Sequence, residues 1–205
     1  MKKIALSILF AFVMIIVAIS AVSCSGEKNG KHLFEKNMLS DYMAEIDFLI
    51  DFDGNPLSGS AKITKNKLLR LDVYSPDPYS GISIECDVSG KADMISIVYS
   101  GIKVEIPRNA MEKLVFLANM MSESTAFAIK EQKDSSFTKC EELYVSEDIP
   151  NAVPYEVRFQ HDGADYIYIY DSVTGIPLEI FADNDYCIAE IKVKKLITEE
   201  PDSEE

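Results

Sequence analysis

The chain is 205 residues long, carries a formal net charge of −14 at pH 7, is 47% hydrophobic and contains four cysteines and no tryptophan. An acidic surface of this kind repels nucleic acid and anionic lipid headgroups, which excludes both as partners of the folded surface. The length left after a short N-terminal segment suits one domain with a single core.

That N-terminal segment begins Met1-Lys2-Lys3 and continues from Ile4 to Ile19 as an apolar run broken only by Ser7. Basic and then apolar is the order of a secretory signal. The next residues, Ala21-Val22-Ser23-Cys24-Ser25-Gly26, resemble the lipobox of bacterial lipoproteins. Ser23 is then the small residue before the cut, and Cys24 takes the diacylglyceryl group, although Ala21 stands where leucine is usual. The resemblance implies a lipoprotein signal peptide over residues 1–23, lipidation of Cys24, and an extracytoplasmic domain anchored by lipid to the bacterial cell membrane. An uncleaved membrane anchor is the alternative, and it too leaves the domain outside the cytoplasm. Two acyl chains suffice as an anchor, since each buried methylene contributes about 0.8 kcal/mol. Cleavage removes Lys2 and Lys3 and takes the net charge from −14 to −16.

Residues 24–40 read as the anchor cysteine and a tether, rich in Gly, Lys, Asn and Glu up to Lys31. Leu33, Phe34, Met38 and Leu39 then stand at helical spacing, a short helix before the first strand. From Ala44 to Phe52 the period is two, with Ala44, Ile46, Phe48, Ile50 and Phe52 set against Glu45, Asp47, Asp51 and Asp53, and Asp53-Gly54-Asn55-Pro56 makes a turn. Strands follow over Leu57–Thr64 and Leu68–Tyr74, a proline break at Ser75-Pro76-Asp77-Pro78, then strands over Ile82–Val88, Met94–Tyr99 and Lys103–Ile106.

Pro107 opens the one long helix predicted, Asn109–Met121, which Ser122-Glu123-Ser124 ends. Further strands are expected over Phe137–Val145, Tyr155–Gln160, Tyr166–Tyr170, Pro177–Ala182 and Tyr186–Leu196, with turns at His161-Asp162-Gly163 and Ser172-Val173-Thr174-Gly175. The fold class is therefore α+β: a curled antiparallel sheet of about ten or eleven strands with a central helix, over residues 41–197. The tail from 198 to 205 is a block of acidic residues of the kind that stays solvated.

With Cys24 lipidated, Cys86, Cys140 and Cys187 are an odd number, so at most one disulfide forms within a monomer. Cys86 and Cys187 fall in phase with inward-facing hydrophobes, and no C-x-x-C pattern occurs. His32 falls in the tether and His161 in a turn, and no hydrolase, Walker or dinucleotide motif is present, so no catalytic residue is assigned. Asp183-Asn184-Asp185 lacks the rest of a calcium loop, and neither a metal nor a cofactor is expected.

Apolar surface is in surplus. The predicted helix is apolar nearly all round, and Tyr166-Ile167-Tyr168-Ile169-Tyr170 offers large groups to both faces of its strand. Either the helix and sheet enclose a hydrophobic cavity, or they pack as an ordinary core. The candidates to line a cavity are Met111, Leu114, Val115, Ala118 and Met121 on the helix, and Tyr166, Tyr168 and Tyr170 on the strand.

The order of elements from about residue 40 to 197 resembles the LolA/LolB-like superfamily and its LppX- and LprG-type relatives among envelope lipoproteins. The residues that carry the likeness are Leu57-Ser58-Gly59 with Ala61 and Ile63, then Leu69-Arg70-Leu71-Asp72-Val73 before the proline break, and Tyr170-Asp171-Ser172-Val173-Thr174-Gly175-Ile176-Pro177-Leu178. It implies a half barrel whose helix packs on the concave face and a lipid or acyl-chain ligand held there, and the missing catalytic motifs separately lead us to expect a protein that is not an enzyme. The tether at Cys24 departs from a freely shuttling carrier. It favours binding at one membrane, or a protein-interaction or sensor module that meets another envelope protein.

Overall fold

The computed structural model describes residues 30–89, 93–140 and 149–198. The expected signal segment, Cys24 and the acidic tail from residue 199 lie outside the described residues, as do residues 141–148, into which a strand was expected to run.

A helix α1 over residues 30–39 leads into β1 (Tyr42–Phe52), β2 (Asn55–Lys65), β3 (Leu68–Ser75), β4 (Ile82–Asp87), β5 (Met94–Tyr99) and β6 (Ile102–Pro107). Two helices, α2 (Glu112–Asn119) and α3 (Glu123–Lys130), separate these from β7 (Phe137–Lys139), β8 (Pro154–His161), β9 (Ala164–Asp171), β10 (Pro177–Asn184) and β11 (Cys187–Thr198). All eleven strands join one antiparallel sheet in the order β6-β5-β4-β3-β2-β1-β11-β10-β9-β8-β7. The chain thus makes two meanders, stitched where β11 returns to pair with β1 from Phe52↔Cys187 to Tyr42↔Thr198.

Alternation decides which face is which. On β1, Tyr42, Ala44, Ile46, Phe48 and Ile50 are buried, whereas Glu45 and Leu49 between them are exposed. Irregular register on β1 with β11, β2 with β3 and β9 with β10 adds local bend, and bends of this kind curl a long sheet. The three helices bury their apolar sides on the concave face. The convex face is polar: Arg70 on β3 binds Asp72 at 2.8 Å and Glu85 of β4 at 3.0 Å, and Lys103 of β6 reaches across β5 to bind Glu85 at 2.7 Å.

The single long helix expected over Asn109–Met121 is corrected by the structure. A 3-10 turn over Arg108–Met111 comes first, Met111 leaves helical geometry at φ −131° and ψ 37°, and α2 is only eight residues long. Where the sequence pattern ends the helix, Ser122 starts another, since its hydroxyl accepts from the Thr125 N–H as an N-cap.

A second correction concerns the tether. Residues 30–39 are part of the domain, for Phe34 and Met38, one turn apart, are fully buried. Gly175 in the β9–β10 turn has φ 71°, and a Cβ there would lie 2.4 Å from the Leu33 carbonyl carbon, so α1 seats its backbone on that glycine. Gly59 meets a similar approach, its absent Cβ falling 2.0 Å from the Ser75 carbonyl oxygen. Both glycines belong to the segments that carried the family likeness, and in both the reason is backbone contact.

Asp171 holds the same turn. Its carboxylate, 3% exposed, accepts from the N–H of Val153 at 2.8 Å and of Thr174 at 3.0 Å, and from the Thr174 hydroxyl at 2.6 Å. Asp171→Ala leaves those donors without their acceptor and is expected to cost about 2 kcal/mol. A lowered urea midpoint with an unchanged slope is the reading that checks it.

Candidate functional site

The concave face is the site the sequence points to, and all but one of its candidate residues are buried. Leu114, Val115 and Ala118 from α2, Met121 from the α2–α3 joint and Tyr166, Tyr168 and Tyr170 from β9 are each at most 5% exposed, while Met111 is half-buried against the core. The three tyrosines are two apart on one strand, so all point inward. Phe34 of α1 stacks on Tyr170 at 4.3 Å, and Phe159 of β8 stacks on Tyr166 and Tyr168 at 5.3 and 5.7 Å. These residues meet as a filled aromatic core.

Two tyrosines fasten the helical layer to the sheet. The Tyr42 hydroxyl donates to the Met121 carbonyl, and the Tyr168 hydroxyl donates to the Met120 carbonyl. Those carbonyls follow the last turn of α2, where a helix has no partners of its own to offer. Burial raises the pKa of both tyrosines, which remain neutral donors, and raises that of Tyr166 to about 12. Lys65 does the equivalent for α1, donating to the Met38 carbonyl at 2.6 Å from a position only 3% exposed. Its pKa is lowered by burial, against the opposing pull of Glu123 and Asp41.

Sequence reasoning missed that the apolar face outruns its cover. Cross-strand rows continue the core outward: Leu71–Ile84–Ile97–Val104 across β3 to β6, and Ile82–Tyr99–Ile102 beside it. Ile84 is fully buried, but Val104 is 50% exposed, Tyr99 55% and Ile102 67%. The helices rest on the middle of the sheet, and its β5–β6 wing stands apolar and open. The sequence signal was present in the period-two alternation of Ile102, Val104 and Ile106, but an exposed strand and a buried one share that pattern.

The hollows on the surface lie elsewhere: one of about 300 Å³ flanks α3, where Phe127 and Ala128 give it a partly apolar wall, and the others are polar. One of about 680 Å³ is lined by Asp51, Asp53, Asp165, Asp183 and Asp185 with Tyr186, at the hairpin ends of β1, β8 and β10. Among the described residues no group of three or more ligating side chains is arranged to hold a metal ion. His161 ends β8, with Ser124 Oγ at 2.8 Å and Asp162 Oδ2 at 3.4 Å. Both contacts fall on Nε2, so Asp162 does not orient the ring from the opposite nitrogen as a relay requires.

Cys86, Cys140 and Cys187 are free thiols. Burial raises Cys86 and Cys187 to about 11, which keeps them protonated and unreactive.

Neither a known protein family nor a curated protein sequence matches the chain. Solved structures do. A LolA superfamily protein from Nitrosomonas europaea is 8% identical over 84% of this chain and 94% of that one, with a TM-score of 0.44. The lipoprotein LppX of Mycobacterium tuberculosis is 8% identical over 87% and 96%, at 0.43, and LprF of Mycobacterium bovis is 9% identical over 82% and 92%, also at 0.43.

Proposed function

We propose that this chain is an exported lipoprotein, anchored through Cys24, that binds the acyl part of a lipid on the concave face of its half barrel. The observation that carries the reading is the pair of open apolar rows ending in Val104, Tyr99 and Ile102. A soluble domain that leaves a contiguous apolar strip beside its core presents a binding surface. The rows start on β3 and β4, the strands on which α2 also packs, so a chain laid on β4 to β6 has a path inward if α2 lifts. The buried residues chosen from the sequence then form the deep end of the site, and half-buried Met111 and the exposed rows its mouth.

The N-terminal pattern of Lys2, Lys3, an apolar run and Ser23-Cys24 supports the anchor and the extracytoplasmic location. A domain tethered to its own membrane receives or presents a lipid there and does not ferry it away.

Full-length protein extracted in mild detergent and examined by native mass spectrometry is expected to carry a lipid-sized adduct. Tyr99→Asp, placed at the mouth, is expected to weaken binding of a fluorescent fatty acid about tenfold, since a charge in an apolar strip must be desolvated. No adduct and no probe binding would refute the proposal.

A further inference from the structure

The open wing ends in β6, and the chemistry of that strand is symmetric about its centre. It reads Ile102-Lys103-Val104-Glu105-Ile106, apolar on the concave face and oppositely charged on the convex face. At the other end of the sheet β7 is blunted by having only three residues. Five of the six β6 residues are exposed, and an exposed edge strand presents unpaired N–H and C=O groups on which another strand can pair.

Backbone phase fixes which groups are on offer. β5 and β6 are joined by Ser100-Gly101, with φ 50° and 79°, the two-residue turn whose flanking pair is hydrogen-bonded. Tyr99 and Ile102 are that pair, so Ile102, Val104 and Ile106 spend their N–H and C=O groups on β5. The same phase holds six pairs along, where the Arg108 N–H donates to the Asp93 carbonyl at 2.9 Å. Lys103 and Glu105 therefore turn their backbone groups outward, toward the open edge.

We infer that this edge pairs with the β6 of a second copy of the chain, antiparallel and with the two-fold axis at Val104. In that register Lys103 faces Glu105 of the second copy and Glu105 faces its Lys103, and each of those two pairs exchanges both backbone hydrogen bonds. Val104 meets its own equivalent as a non-bonded pair, and Ile102 meets Ile106. On the convex face the ladder of Arg70, Glu85 and Lys103 continues to Glu105 of the second copy. On the concave face the two open rows become one strip, with Val104 and Ile102 covered from the side. Charge complementarity about a single residue selects a second copy over an unrelated strand. The inference stands on the edge itself and does not depend on a lipid ligand.

Sedimentation of the full-length chain in detergent is expected to show a reversible dimer. Glu105→Lys sets like charges opposite each other in both pairs and leaves the Lys103–Glu85 bridge intact. It is expected to weaken the dimer about tenfold. Adding Lys103→Glu to it restores opposite charges across the axis and is expected to recover the association. Val104→Cys is expected to give a disulfide-linked dimer under mild oxidation beyond any seen for the unaltered chain, because non-bonded pairs place Cα atoms at about 4.5 Å. Ile102→Cys, which faces Ile106, is expected not to. A monomer at every loading overturns the inference, and does so even if the chain binds the fatty-acid probe, which would give the strip to ligand alone. A dimer indifferent to Glu105→Lys and to Val104→Cys overturns it as well, because its contact then lies elsewhere.

Discussion

Gly175→Ala is expected to cost about 3 kcal/mol and to release α1 from the sheet. The left-handed backbone alone, φ 71° at this position, accounts for about 1–2 kcal/mol once a Cβ is present. The remainder comes from contact, since the new atom would lie 2.4 Å from the Leu33 carbonyl carbon and 2.5 Å from the Phe34 nitrogen. Those are backbone atoms of a helix and cannot swing aside as a side-chain tip does. The helix must retreat, and with it Phe34, fully buried and stacked on Tyr170, and Met38. A lowered urea midpoint and fast hydrogen exchange at amides 33–39 are the signatures to look for. Native protection across α1 in the variant would show that the close approach is relieved at no cost.

Removing both hydroxyls that hold the helical layer, as in Tyr42→Phe with Tyr168→Phe, is the second large effect. Each change keeps the ring and its packing but strands a buried carbonyl, a loss of about 1–3 kcal/mol. Because the acceptors are the consecutive carbonyls of Met120 and Met121, one readjustment of the α2–α3 joint serves both. The pair is therefore expected to cost less than the sum of the single variants, about 3 kcal/mol in all. Thermal or urea unfolding of the two singles and the double measures this coupling. The same double variant is expected to bind a fluorescent fatty acid several times more tightly, because a looser α2 uncovers Leu114 and Val115 at lower cost. Unchanged or weaker probe binding would mean that α2 does not gate the concave face.

Much of the sheet was legible because a strand with one wet face writes its geometry directly into alternation. Ala44 to Phe52 shows it, and so do Met94 to Tyr99 and Pro177 to Ala182, which lie in β5 and β10 as expected. Hairpin chemistry placed the turns for the same local reason. The helical region was harder to read. Met120 and Met121 continue an apolar helical pattern up to a polar cluster, Ser122-Glu123-Ser124, that looks like a stop, whereas Ser122 with Thr125 three residues on is also a start. A capping signal read in both directions would have found α3.

The candidate site divides in the same way. That Tyr166, Tyr168 and Tyr170 share a face follows from period two. That they meet Phe34 and Phe159, and that Tyr168 spends its hydroxyl on Met120, depends on partners 7 to 136 residues away in the chain.

By itself the sequence determined the strand alternation, the turn positions, the acidic surface and the N-terminal pattern ending in Cys24, because each depends on neighbours within a few residues. Only the tertiary structure decided that residues 30–39 belong to the core, that the cavity candidates pack against one another, and that the apolar rows of β5 and β6 lie beyond the helices. Those outcomes depend on how far three short helices reach across an eleven-stranded sheet, a comparison of lengths and positions that no local pattern contains.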